Sequence, residues 1–208
     1  MSVLGACISW WVYLMYVLAD ECTWCMRIWW CYYHIRSPPH SSVSEDVSKM
    51  IACSMVGCRL DYANSVFLGT SAKVVHRLEH IQNTLAIVVT RQHGRTSISA
   101  TLQKLHWLPV KWRINFKVTT LTYKVLESGE PSYLSSKIAI AVPSRSLRSS
   151  ADTRRLAVFP HKLNIGARAF WHAAPSIWNC LPFNVHTAPT VLTFKSRLKT
   201  FYFQQAFQ

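Results

Sequence analysis

Pro109 constrains the fold of this chain more than any other residue. It sits inside the run Leu102 to Leu126, which is otherwise rich in apolar and helix-compatible side chains. A proline offers no backbone donor to a helix interior and pushes the residue before it towards extended geometry. Leu105-His106-Trp107-Leu108 must therefore close one element, and Pro109 must open another. Beyond it, a 3.6-residue period puts Ile114, Val118, Leu121 and Val125 on one face, with Arg113, Lys117 and Lys124 in a stripe beside it. The period predicts a long helix with one side in the core and a positive flank. Such a flank serves either as a solvated edge or as a surface for polyanions.

Charge elsewhere bears on that choice. The 208 residues carry 23 Lys and Arg against 9 Asp and Glu, a formal net charge of +14, which suits nucleic acid or an anionic membrane surface. From Pro131 onward there are ten basic residues and one acid, Asp152, so the second half is the better phosphate-facing candidate. Half the residues are apolar, enough for one domain with a real core, and this excludes wholesale disorder.

Composition divides the chain into residues 1–36, apolar, aromatic and cysteine-rich, and residues 37–208. Met1 to Ala19 carries no charge, and Val3 to Leu18 approaches the shortest membrane span, so an apolar N-terminal helix is expected there. The same tract can be read as a signal peptide, with Val17 and Ala19 as the small residues before cleavage, although no basic n-region precedes it. A small membrane-anchored or secreted protein is therefore one reading of the chain. Cys22, Cys25, Cys31 and His34 are ligand types for structural zinc, but the spacer between the two pairs is short and crowded by Trp29 and Trp30. Neither metal nor cofactor is implied by this spacing alone. A segment that was not originally coding would also look like residues 1–34.

In the second part, Ser41 to Ser44 offer helix caps ahead of Glu45 and Asp46, and Val47, Ile51, Ser54 or Met55, and Cys58 continue a helical stripe. Asp61 stands alone as an acid, suited to a cap or to pairing with Arg59. Ser71 caps a helix with Val74, Leu78, Ile81, Leu85 and Val88 on one face. Gln82 and Asn83 are placed on its exposed side. Ser128-Gly129 signals the end of the central helix, and Pro131 starts a short one. Pro143 to Ser150 alternates hydroxyls with guanidinium groups; with Arg154, Arg155 and Lys162 it forms either a solvated loop or a phosphate-contacting one. Leu156 to Pro160 reads as a short strand, within a β/loop insertion around 143–165. Two short helices broken at Pro175 follow, anchored by Phe170 and Trp178, and a last helix buries Val191, Phe194, Leu198 and Tyr202. The fold class is mainly α: an irregular helical domain with that single insertion.

Several blocks carry a resemblance in one order. Arg59-Leu60-Asp61-Tyr62-Ala63-Asn64-Ser65, Leu78-x2-Ile81-Gln82-Asn83, Leu105-His106-Trp107-Leu108-Pro109-Val110 with Arg113-Ile114, Pro143-Ser-Arg145-x-Leu147-Arg148-Ser149-Ser150, Gly166-Ala167-Arg168-Ala169-Phe170, Ile177-Trp178-Asn179-Cys180-Leu181-Pro182 and Phe194-Lys195-x2-Leu198-Lys199-Thr200 are similar to the region beyond the thumb in reverse transcriptases of LINE-type, jockey-like non-LTR retrotransposons. Ala63 stands where that family usually has cysteine, and Phe67-Leu68-Gly69 replaces its Leu-Tyr-Gly. The family is an RNA-directed DNA polymerase, but its metal-binding aspartates lie upstream of these blocks, and no Asp-Asp pair occurs in this chain.

The resemblance therefore implies a fragment without catalysis of its own, lacking palm and endonuclease. At most it would hold RNA or DNA by the backbone, through Arg113, Lys117, Lys124, Arg145, Arg148, Arg154, Arg155, Lys162 and Arg168. A surviving basic RNA-binding module is the version in which that property is still used. Apolar faces that met the upstream domains would then be open, so self-association is expected. Light scattering of the purified chain should give oligomers, and a sharp monomer peak would contradict it.

Overall fold

The computed structural model describes residues 44–91, 97–141, 155–160 and 166–208, and these are mainly helical. The N-terminal apolar tract, Cys22, Cys25, Cys31, His34, Arg145, Arg148, Arg154 and Lys162 lie outside the described residues. Among the described residues, no helix is long and apolar enough to cross a membrane.

The helices are α1 (Glu45–Ala52), α2 (Cys58–Asp61), α3 (Ala72–Thr90), α4 (Ile98–Lys104), α5 (Val110–Ser128), α6 (Ser132–Ser135), α7 (Phe170–Asn179), α8 (Phe183–His186) and α9 (Val191–Ala206). The long helix α5 lies between two cores. On one side Val110 and Ile114 join Ala52, Leu78, Leu85, Leu102 and Trp107; on the other, Tyr123 joins Leu108, Trp178, Phe194, Leu198 and Tyr202. Trp107 and Leu108, adjacent in sequence, thus enter different cores.

The corner that divides them is built from backbone chemistry. His106 adopts a left-handed conformation (φ 56°), its N–H bonds Gln103 O at 3.0 Å, and the Trp107 N–H reaches back to Leu102 O at 2.9 Å. This is a Schellman closure with histidine in the place glycine usually takes, and it satisfies two carbonyls at the end of α4. Pro109 then starts α5, accepting from Trp112 and Arg113, as its missing donor permits. Gly129, at φ 70°, ends α5 where expected.

The burial of α5 is broader than one face. Thr119, Thr120, Thr122 and Tyr123 are buried as well, because the threonines turn their hydroxyls onto the carbonyls of Asn115, Phe116 and Val118 one turn back and so enter the core without an open donor.

The expected α1 stripe is corrected. Val47 (45 % exposed), Met55 (36 %) and Cys58 face out, Ile51 is half-buried, and the buried line is Ser48, Ala52, Val56 and Leu60. A four-residue spacing drifts off one face of an ordinary helix. Here the π-helical turn Cys53–Gly57 takes up the drift by widening the helix for one turn. The small Ser48 and Ala52 let α1 approach α3 closely.

Phe170 to Asn179 is one helix, with Pro175 inside it, rather than two. Pro175 forfeits a single bond, to Trp171 O, near the helix start, and burial of Ala174, Pro175 and Trp178 against the core outweighs it. Trp178 is fully enclosed, whereas Phe170 is half-buried. Among residues 155–160 there is one antiparallel bridge, Ile140 to Leu156, in place of a strand. Asn179 completes it: its Oδ1 accepts from Leu156 N–H and its Nδ2 donates to Leu156 O, both at 2.9 Å, as a neighbouring strand would.

Candidate nucleic-acid interface

A cavity of about 510 Å³ opens between the π turn, the Trp107-Leu108 corner and the first half of α5. Asp61, Asn64, Gln82, His106, Arg113, Lys117 and Lys199 supply its polar lining, with Trp107, Leu108, Phe116, Cys53 and Cys58 among the remainder. Separate stretches of sequence meet here because α5 packs against α2, α3, α9 and the 3₁₀ turn Asn64–Phe67.

Arg113 is the best-held cation of the site. Its guanidinium forks onto Asp61, with Nε to Oδ1 at 2.7 Å and the second nitrogen to Oδ2, and its side chain is 19 % exposed. The geometry is bidentate, so Asp61 takes Arg113 rather than Arg59, and Arg113 pins α2 to α5 instead of flanking the helix. Lys117, one turn on, is exposed and makes no ion pair among the described residues. Lys199 reaches the same cavity from α9 and is likewise exposed and unpaired. The period of α9 alone puts Lys199 on the face opposite Phe194, Leu198 and Tyr202, and nothing local shows that α9 packs against α5 beside the cavity.

The other basic residues stand apart. Lys124 shares the stripe of Lys117 but borders a second hollow, with Glu127 and Glu130. Arg155 is exposed beside the bridge at Leu156. Arg168 lies over Gly69: a Cβ there would come 2.7 Å from Arg168 Cγ, and the glycine also holds φ +68°. The block containing Gly69 and the block containing Arg168 therefore meet, and the stem of Arg168 is packed while its residue remains exposed.

Gln82 and Asn64 are buried, at 1 % and 3 % exposure. Gln82, expected on an exposed face, donates from Nε2 to Leu108 O at 2.7 Å, the carbonyl left outside the helix that Pro109 opens. Asn64 Nδ2 donates to Arg113 O at 3.5 Å. The carboxamide oxygens of both are fully enclosed and have no hydrogen-bond partner among the described residues. With two exposed lysines that make no ion pair among the described residues, the cavity can receive an anion. No family model, no curated protein and no solved structure matches the chain.

Proposed function

We propose that this chain is the helical region following the polymerase domain of a LINE-type, jockey-like retrotransposon reverse transcriptase, and that it holds RNA or DNA by the backbone without catalysing a reaction. The observation that carries the reading is the convergence of the resembling blocks. Asp61 and Asn64, Gln82, His106 to Leu108, Arg113 and Lys199 belong to four of them and line one cavity. Lys117 and Lys199, without an ion pair among the described residues, supply charge there, and the chain as a whole has +14 to attract phosphate. Phosphate contacts of this kind position a strand without reading its sequence.

The test is anisotropy of the full chain with a mixed-sequence RNA and a DNA duplex across a salt series. A log–log slope of about three to five is expected, as for a protein neutralising roughly that many phosphates, with little difference between sequences. Replacing Arg145, Arg148, Arg154 and Arg155 together by alanine should flatten the slope. A folded, soluble sample that binds neither polymer at low salt would refute the reading.

A further inference from the structure

Among the described residues, the lining of the cavity holds one carboxylate, Asp61, and three cationic side chains, Arg113, Lys117 and Lys199. The carboxylate is already taken by the fork of Arg113. Lys117 and Lys199 are exposed and make no ion pair among the described residues, so the cavity keeps two positive charges that these contacts do not neutralise. A concave surface of one sign focuses its field on the space it encloses. His106 borders the same space with an exposed side chain whose ring makes no hydrogen bond among the described residues. The ring rests on Phe203, with centroids 5.6 Å apart, and Phe203 follows Lys199 by one turn on the same face of α9. His106 therefore brings an N–H donor, which either tautomer of imidazole has, to the side of the cavity that Lys199 borders. It does so at φ 56°, where glycine would close α4 without the steric cost of a Cβ.

We propose that the cavity holds a terminal phosphate, the phosphate monoester at the end of a strand or on a free nucleotide, in preference to a phosphate within the backbone. A backbone diester carries one negative charge, and one lysine matches it. A monoester carries close to two charges at neutral pH and has three acceptor oxygens, which two lysines and an imidazole N–H match together. About 510 Å³ leaves room for the phosphate and the sugar that bears it. Arg113 is not the phosphate ligand, because its fork is on Asp61; it fixes the wall from which Lys117 projects. No base is read, in keeping with contacts that go to phosphate alone. The strand as the source of the monoester rests on the nucleic-acid reading above, whereas recognition of the monoester itself needs only His106, Lys117 and Lys199.

The experiment has two arms on the full chain. In the first, anisotropy is read for one single strand in three forms: with a terminal phosphate, with hydroxyl ends, and hydroxyl-ended but two nucleotides longer, which gives it nearly the charge of the first. The phosphorylated form is expected to bind about tenfold more tightly than either of the others, the scale of a charge-assisted hydrogen bond. The preference should fall to within about twofold in Lys117→Gln and in Lys199→Gln, surface changes that should leave the fold intact. His106→Gly, which relieves the backbone, should lose part of the preference. In the second arm, UMP and uridine are compared for protection of Cys53 and Cys58, which line the cavity and are exposed, against a neutral thiol alkylator read by mass spectrometry. UMP should protect and uridine should not. Protection by UMP without strand binding would keep the site, for free phosphate monoesters, and remove the backbone reading. Strand binding that ignores the terminal phosphate, with equal alkylation in UMP and uridine, would overturn the site and leave the backbone reading standing. A preference that survives both lysine changes would overturn it as well.

Discussion

Replacing Trp178 with alanine is expected to lower the unfolding free energy by about 3–5 kcal/mol. Trp178 is 1 % exposed and lies in the middle of a stacked series, with ring centroids 4.7 Å from His186 and 5.9 Å from Phe194. Phe194 in turn stacks on Tyr123 at 4.1 Å, so the indole links α7 to α8, α9 and the central helix. Its backbone carbonyl also lies 3.0 Å from His186 Nε2, so a shift of the helix would disturb a buried polar contact. A domain has about 5–15 kcal/mol in total, so this loss removes much of it. Leu192→Ala is the control, at a side chain 79 % exposed, where a change within about 0.5 kcal/mol is expected. Urea midpoints read by far-UV circular dichroism compare the two. Equal midpoints would mean the second core is not organised around Trp178. Hydrogen exchange should also quicken at the Leu156 amide, because Asn179, the next residue, holds it.

What was legible in the sequence follows from how local the signal is. The last helix buries Phe194, Leu198 and Tyr202 and exposes Arg197 and Lys199, as its period requires, since its face is continuous over four turns. Its start just after Pro189 is equally local, and Thr190 caps it there by accepting from Thr193 N–H. The cap of α1 at Ser44 was also readable, yet its buried stripe was not, because a π turn rotates the pattern and no residue type announces one. The mainly helical class survives such errors; individual faces do not.

The polar residues were harder for a different reason. Gln82 is buried because Leu108 O, far along the chain, needs a donor, and Asn179 is held because the backbone of Leu156 needs a second strand and has none. In each case the amide completes a backbone pairing made by tertiary contact, so its sequence neighbours carry no trace of it. The cavity was missed for the same reason, since Asn64, Gln82, Lys117 and Lys199 become neighbours only once α5 lies among the other helices. Of the central stripe only Lys117 is an accessible cation of the site, because a helix period orders residues within one helix and says nothing of what the neighbouring helices bring to it.

Above pH 10, Tyr202 is expected to make the fold alkali-sensitive. Burial pushes its phenol from the ordinary 10.0 up to about 12, and the hydroxyl of Thr119, 3.0 Å away, works in the opposite direction. In the neutral state Thr119 gives its proton to Asn115 O at 2.7 Å, so Tyr202 is the donor between them. Turned round, the same hydroxyl can serve the phenolate and recover part of the burial cost. The sign follows from the two ionisation points. The unfolded chain releases the proton near pH 10 and the folded one only near 12, so the contribution is complete below 10 and is lost as pH rises through 12. Two units correspond to roughly 3 kcal/mol. Tyr202→Phe removes the hydrogen bond, at about 0.5–1.5 kcal/mol, and removes this titration with it. The variant should therefore be less stable than the parent at pH 8 and more stable near pH 12, where the other titrating groups are common to both proteins. Urea midpoints from pH 8 to 12 should cross; two parallel curves would show that the buried phenol is not what the fold loses to alkali.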